Sequence, residues 1–400
     1  MRSFGFFVAL ALLVSVAGAQ QLDLNTTGAG ARAEGLGGAF IGVADDATAI
    51  VWNPAGLGQL ERPEASVVIR AISDKVDYEN NRNSEWNEST KQSHFNLNFG
   101  SFALPIAMGH NNLVLAVAFQ RQIDLYEKEE TESYLYESKG GANTVTPGLA
   151  MRFGPVFAVG AAANIWLGSN DQTEVDKTAL PRSEEKTTLD FSGTNFVIGA
   201  MIDLSGLSNP VPLKFGATIR TPFDLSVKIK DVEDVEVKIQ MPLMLGFGTS
   251  LRLGENFLLS ADFETRAFSK KQIQFYFDGE LVDEDPIAEI EKNLNQIRVG
   301  AEYLIVFGGG VIPLRAGFHT VPTTQANKEW TSLGYRPKDQ AVGAGFSVGT
   351  GLITGSFALD AALSIDSYKK EYTDPAFVPE LDATYKYTTG KISISGIIYF

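Results

Sequence analysis

Residues 357–364, FALDAALS, place Phe357, Leu359, Ala361 and Leu363 on one side of an extended chain and Ala358, Asp360, Ala362 and Ser364 on the other, because successive strand side chains point to opposite faces. One face is apolar; the other is small, polar or charged. The same reading holds for Phe95, Leu97 and Phe99 against Asn96, Asn98 and Gly100, and for Phe257, Leu259, Ala261 and Phe263 against Leu258, Ser260, Asp262 and Glu264. Two kinds of connector separate such runs. Gly154-Pro155, Gly254-Glu255-Asn256 and Gly308-Gly309-Gly310 carry the chemistry of tight turns. Stretches 126–139, 169–186, 269–295, 320–338 and 366–382 are long, gather the charge and are expected as outer loops. Short turns at one end and long loops at the other are how bacterial outer-membrane barrels are built. A soluble β-sandwich also alternates, but its turn signals come typically every 8–12 residues and compact domains seldom carry loops this long.

Counting runs over 65–400 predicts an all-β, transmembrane, antiparallel β-barrel of about fourteen strands, with both barrel ends on the periplasmic side. The final run, 391–400, sets Ile392, Ile394, Ile398 and the terminal Phe400 on one face. A carboxy-terminal aromatic there resembles the signal read by the outer-membrane assembly machinery. At the other end, Arg2 precedes an apolar run over residues 4–16, and Ala17-Gly18-Ala19 supplies the small residues of a cleavage site, so 1–19 reads as an export signal. That run is shorter than the roughly 20 residues a membrane-crossing helix needs. The sequence holds no cysteine, which leaves no lipoprotein anchor, disulfide framework or thiolate metal site. Its formal net charge of −15 argues against nucleic acid. No linker divides 400 residues, so one domain is expected after the signal.

Residues 20–64 differ in texture. The stretch TTGAGARAEGLGGAFIGVADDATAIVWNPAGLGQLERPE, 26–64, is rich in Gly and Ala, and Asp45 or Asp46 suits the cap of a short helical turn that Pro54 would end. Too small for a core of its own, this segment is expected to lie inside the barrel as a hatch. The Gly-rich Gly35 to Gly38, the acidic step Asp45-Asp46 and the motif Asn53-Pro54-Ala55-Gly56 resemble the mature amino termini of the FadL family and its PorV/PorQ-like relatives. Arg220-Thr221-Pro222-Phe223, Met241-Pro242, Gly246, Gly248 and Ala261-Asp262-Phe263 fit the same resemblance. It implies a fourteen-stranded barrel closed by its amino-terminal hatch, with passive uptake of hydrophobic small molecules in the FadL branch. The PorV branch instead implies a scaffold or shuttle for secreted proteins. A monomer in outer-membrane lipid, without cofactor, is expected; a structural or adhesive role for the acidic loops is a further reading.

By alternation Arg220, Asp262, Glu264, Arg266, Arg298, Glu302 and Arg315 all point inward, the last six from three consecutive strands. They read either as a wall network that also binds the hatch through Arg32, Glu34, Asp45 or Asp46, or as a polar seat for the head group of an amphipathic ligand. Asn53, Pro54 and Ala55 read as a folding motif that seats the hatch, or as a gate. Gly345-Phe346-Ser347-Val348-Gly349 matches the G-x-S-x-G elbow, but no histidine follows it and it sits inside an alternating run, so no nucleophile is expected. Gly343 and Gly345 are expected to ease strand bending. His94, His110 and His319 lack metal-binding spacing and are expected at strand ends or in loops. Asp285-Pro286 is expected to open a helical turn with Ile287, Ile290 and Leu294 on one face, folded over the mouth.

Overall fold

The computed structural model describes residues 28–400 apart from 180–182, 233, 287–292, 332–333 and 374–381. The segment expected as an export signal, and Ile287 and Ile290, lie outside the described residues. Twenty strands succeed one another among those described. The first ten are β1 Glu64–Asn80, β2 Glu88–Met108, β3 Asn111–Asp124, β4 Glu127–Glu130, β5 Tyr134–Phe153, β6 Phe157–Leu167, β7 Ser169–Asp176, β8 Ser183–Asp203, β9 Leu213–Arg220 and β10 Phe223–Ile229. The rest are β11 Val235–Met241, β12 Met244–Leu253, β13 Phe257–Arg266, β14 Gln272–Phe277, β15 Glu280–Pro286, β16 Leu294–Phe307, β17 Gly310–Thr331, β18 Gly334–Ile353, β19 Phe357–Thr373 and β20 Ala383–Tyr399.

Fourteen of these form a ring, β1-β2-β3-β5-β6-β8-β9-β12-β13-β16-β17-β18-β19-β20, each antiparallel to the next. The ring closes because β20 pairs back on β1, from Glu64↔Tyr399 to Asn80↔Ala383. Closure removes the open edges that a sheet of this size would otherwise present. The remaining six strands continue one side of the wall outward as β4-β5-β7-β8-β10-β11-β14-β15. The chain breaks into more segments than the runs counted in sequence because the wall kinks as it leaves the ring; Gly168, at φ 120, separates β6 from β7.

This corrects the expected loops. Stretches 126–139 and 169–186 are largely strand, and strands β17 and β18 run on through most of 320–338. Charged and hydroxylated residues there alternate on a solvated wall, and the backbone continues its ladder rather than opening into a loop. Asp285 and Pro286 end β15 and Leu294 is buried at the start of β16, while the turn expected between them lies outside the described residues. The tight turns after β5, β12 and β16 fall where expected.

An apolar band faces outward, with Ile69, Leu97, Leu149, Phe247, Leu359 and Ile394 all about half exposed, as a lipid-facing surface requires. One assignment changes sign. The β1–β2 register slips between Val68↔Phe99 and Ile69↔Leu97, so Phe99 turns from the lipid side to the interior and is fully buried. A bulge inserts one residue, and with a side-chain period of two that flips every position beyond it.

The interior is filled by the hatch. The hatch, with helical turns Ala31–Gly35 and Ala49–Trp52 and the 3-10 turn Pro54–Gln59, carries most of a buried apolar cluster that includes Leu36, Phe40, Ile50 and Leu57. Asn53 leaves the helical region at φ −153, ψ 100, as a residue ahead of proline should, and its side chain accepts from the Ala55 amide at 3.2 Å. A second buried apolar cluster, with Trp166, Phe191, Met241, Phe268 and Phe275, closes the wall extension from within.

Candidate functional site: the seated hatch and the vestibule above it

The hatch lies against the wall backbone to backbone. Inward-facing glycines make this possible: a Cβ at Gly317 would collide with Gly37, at Gly300 with Leu36, at Gly216 with Ile41 and at Gly160 with Pro54. Even a methyl group there would lift the segment from its seat. Gly343 and Gly345 serve clearance rather than bending, because a side chain at Gly345 would occupy the place of His319 and Asp366.

Polar anchors fix the register. Asp262 Oδ2 accepts from the amides of Phe40 at 2.7 Å and Ile41 at 2.8 Å. Asn53 donates to the carbonyls of Ile41 and Ala200, both at 3.1 Å, tying two parts of the hatch to β8. Ser347, in the G-x-S-x-G match, faces inward in β18 and accepts from the Gly37 amide at 3.0 Å, so it is a hatch contact and not a nucleophile. The motif Asn53-Pro54-Ala55 is buried throughout.

The inward charges gather into three groups. Glu302 is shared by the hatch residue Arg32 at 3.1 Å and by Arg315 of β17 at 2.6 Å, and Arg315 reaches on to Asp360 at 2.5 Å. Arg32 also pairs with Asp45. Burial works against the Arg32 charge, but Asp45 and Glu302 together hold it protonated well above its ordinary range. In the second group Glu264 is flanked by Arg266 at 2.6 Å and Arg298 at 3.4 Å, with Gln296 bonded to both guanidiniums. Arg220 stands apart from these direct pairs and donates to the Val51 carbonyl of the hatch at 3.3 Å. Glu34 pairs with Arg70 of β1 at 3.2 Å and accepts from Ser393. Asp46 does not reach the wall: its carboxylate turns back to accept from the Thr48 amide at 2.8 Å. Burial pushes that carboxyl above the usual aspartate range, with Arg32 opposing. Phe400 lies outside the site, on the outer surface near Phe102, its amide on the Pro63 carbonyl. Sequence reading missed Arg70, Asp360 and Ser347 as anchors, although each has inward parity in its strand.

Above the hatch opens a cavity of about 510 Å³. Its floor includes Glu34, Gly37, Gly38 and Trp52, and its walls carry Arg70, His94, Asn96, Arg298, His319 and Asp366. His94 and His319 are wall residues, not loop residues: His94 Nε2 meets Asp124 at 2.7 Å, and His319 Nε2 meets Asp366 at 2.9 Å, with Lys391 on the same carboxylate at 2.8 Å. Only His110 sits in a turn.

The wall beside this vestibule has a seam. Ladder pairing between β2 and β3 begins at Phe99↔Gln120 and runs towards the short turn; beyond it, β2 keeps only β1, while β3 keeps β5 up to Asp124↔Gly141. Side chains bridge the interval: His94 and Asn96 both bind Asp124, and Gln92 accepts from the Lys128 amide at 3.0 Å. On the lipid side the lip carries Leu97 and Phe95, the latter 80% exposed.

Solved structures share this fold. A FadL homologue of Pseudomonas aeruginosa superposes with TM-score 0.61 at 13% identity, over 91% of this chain and 97% of that one. The toluene transporter TodX of P. putida gives 0.62 at 10% identity, over 94% and 99%. The toluene transporter TbuX of Ralstonia pickettii gives 0.59 at 16%, over 94% and 99%. No curated protein sequence matches the chain. This outer-membrane barrel is matched by the family model BamG over residues 25–305, from within the hatch segment through most of β16, and the chain belongs to the BamG family.

Proposed function

We propose that the barrel takes up small amphipathic molecules from outside, holds the polar end in the vestibule and releases the apolar end sideways through the seam between β2 and β3. The observation that carries this reading is the seam, where the ladder is replaced by side-chain bridges between a polar cavity and an apolar lip. Straight passage is opposed by a hatch seated on wall glycines. A wholly apolar solute suits the vestibule poorly, since it would dehydrate polar and charged walls without replacing their hydrogen bonds. The TodX and TbuX likeness supports the transport reading at the level of architecture.

The sequence has no cysteine, so Asn96→Cys with Asp124→Cys adds a single closable bridge. Oxidation is expected to cut uptake of a radiolabelled dodecyl amphipath by expressing cells to background, and reductant to restore it. Uptake indifferent to oxidation would remove the seam as the route.

A protein scaffold is the second reading. It is favoured by the wall extension, whose last strand, β15, displays Leu281 and Val282, both nearly half exposed. Photocrosslinkers at these two positions should capture an exported protein if this surface is used, and nothing specific if the extension is only a rim.

A further inference from the structure

The vestibule presents hydrogen-bond acceptors that nothing in the protein fills. Among the described residues, Glu34 Oε1, His94 Nδ1, Asn96 Oδ1, Asn98 Oδ1, Gln122 Oε1 and His319 Nδ1 are all buried without a partner, and all six residues line the cavity. Their neighbours show which groups are open. His94 and His319 direct Nε2 at carboxylates, which leaves each Nδ1 turned to the cavity. Asn96 gives its amide nitrogen to Asp124, and Gln122 gives its own to Gln120 at 2.8 Å, so both oxygens stay open. The oxygens of Glu34, Asn96, Asn98 and Gln122 are open acceptors on this lining, and Arg121 Nε is an open donor beside them. Buried polar groups are normally satisfied, so the complement of this wall is a molecule rich in O–H donors.

The charge pattern narrows the class. Arg70, Arg121, Arg298 and Lys391 line the cavity beside Glu34, Asp74, Asp124 and Asp366, so neither an ammonium nor an anion meets a wall of one opposite sign. A neutral polyol remains. Aromatic faces suit it: Tyr368 and Tyr387 stack at 4.6 Å on one wall, and Tyr126 stacks on His94 at 4.3 Å on another. All three tyrosines line the cavity. Tyr385 and Tyr78 extend the row along β20 and β1, Tyr385 lying 6.4 Å from Tyr387 and 5.2 Å from Tyr78. The volume falls within the roughly 300–1,000 Å³ of small-ligand pockets.

We infer that the vestibule binds a glycosyl group, held by acceptors from β2, β3 and the hatch and by the tyrosine row, as the head of the amphipath whose tail leaves through the seam. The inference rests on the amphipath reading for the tail alone; the sugar contacts stand on the cavity itself. Dodecyl maltoside, dodecyl octaethylene glycol ether and lauryldimethylamine oxide share a twelve-carbon tail and differ in head. Free maltose has the head without the tail. Each is added below its micellar concentration to the full chain, and bound adducts are counted by native mass spectrometry. The maltoside is expected to bind at least tenfold more tightly than the other two. Asn98→Leu with Gln122→Met is expected to abolish that preference, and Tyr387→Ala to do so independently, with heat-modifiable mobility reporting that each variant is folded. Equal binding of the three amphipaths, unchanged in the variants, would overturn the sugar head and leave the amphipath reading standing. Maltose binding as tightly as its dodecyl glycoside would keep the sugar site and remove the tail, and binding by none would remove both.

Discussion

Glu302 is one of the carboxylates that join hatch to wall, and replacing it by alanine tests whether the hatch is an integral part of the barrel. Its side chain is 2% exposed and serves two guanidiniums, Arg32 and Arg315. Removing one partner of a buried pair costs about 3–5 kcal/mol, because the remaining charge is left without compensation. Here Arg315 keeps Asp360 and Arg32 keeps Asp45, which places the expected loss at the lower end, about 3 kcal/mol. Asp45→Ala provides the internal standard. It belongs to the same network, but its side chain is 28% exposed, so its loss should stay below about 1 kcal/mol. Guanidinium unfolding of barrels folded into lipid vesicles measures both variants, and protease nicking within residues 28–63 reports the hatch separately. A difference of about 2 kcal/mol between the variants corresponds to more than a tenfold change in population. If the two variants unfold together and neither exposes the hatch, the network does not anchor it.

Gly317→Val should displace the hatch near Gly37 and make it protease-sensitive while the barrel keeps its heat-modifiable mobility on a gel; an intact, protected hatch would refute the glycine seat. Asp262→Ala leaves the Phe40 and Ile41 amides unanswered and should cost about 2–3 kcal/mol, whereas Asp262→Asn, which still offers an oxygen, should cost roughly half as much in the same unfolding assay. Phe400 is largely exposed on the outer surface beside Phe102, so Phe400→Ala should lower the yield of assembled barrel in membranes without moving the unfolding midpoint of what does assemble. Arg298→Ala frees Glu264 of one partner but leaves Arg266, so a loss of about 1–3 kcal/mol is expected, and an unchanged midpoint would count against a wall role.

Much of this architecture was legible because a strand writes its two environments into alternate residues. FALDAALS and the inward parity of Arg298, Glu302 and Arg315 follow from one geometric rule, and the glycine-rich turns from the backbone freedom that tight turns need. The hatch was legible by contrast in texture. What escaped lies where that rule is suspended or says nothing. A bulge carries no residue signature, so Phe99 was placed on the wrong face. Charged stretches such as 169–186 read as loops, yet a wall outside lipid has no need of an apolar face. The glycine seat did leave a trace, since Gly300 shares parity with Glu302 and Gly317 with Arg315, but an absent side chain points nowhere until its neighbour is known. Pairings across the lumen, such as Arg70 with Glu34, join residues remote in sequence and need the closed ring to be seen.

The order in which the hatch meets its seat has a consequence for assembly. Its later part, Pro54–Gln59, rests on β5, β6 and β8, whereas Leu36 and Gly37 rest on Gly300 of β16 and Gly317 of β17. The first set of partners lies early in the chain and the second late. A segment fastened at one end to the leading strands and at the other to the trailing ones is a drawstring across the lumen: its contacts hold β16 and β17 towards β5, β6 and β8 and so favour the curvature that brings β20 to β1.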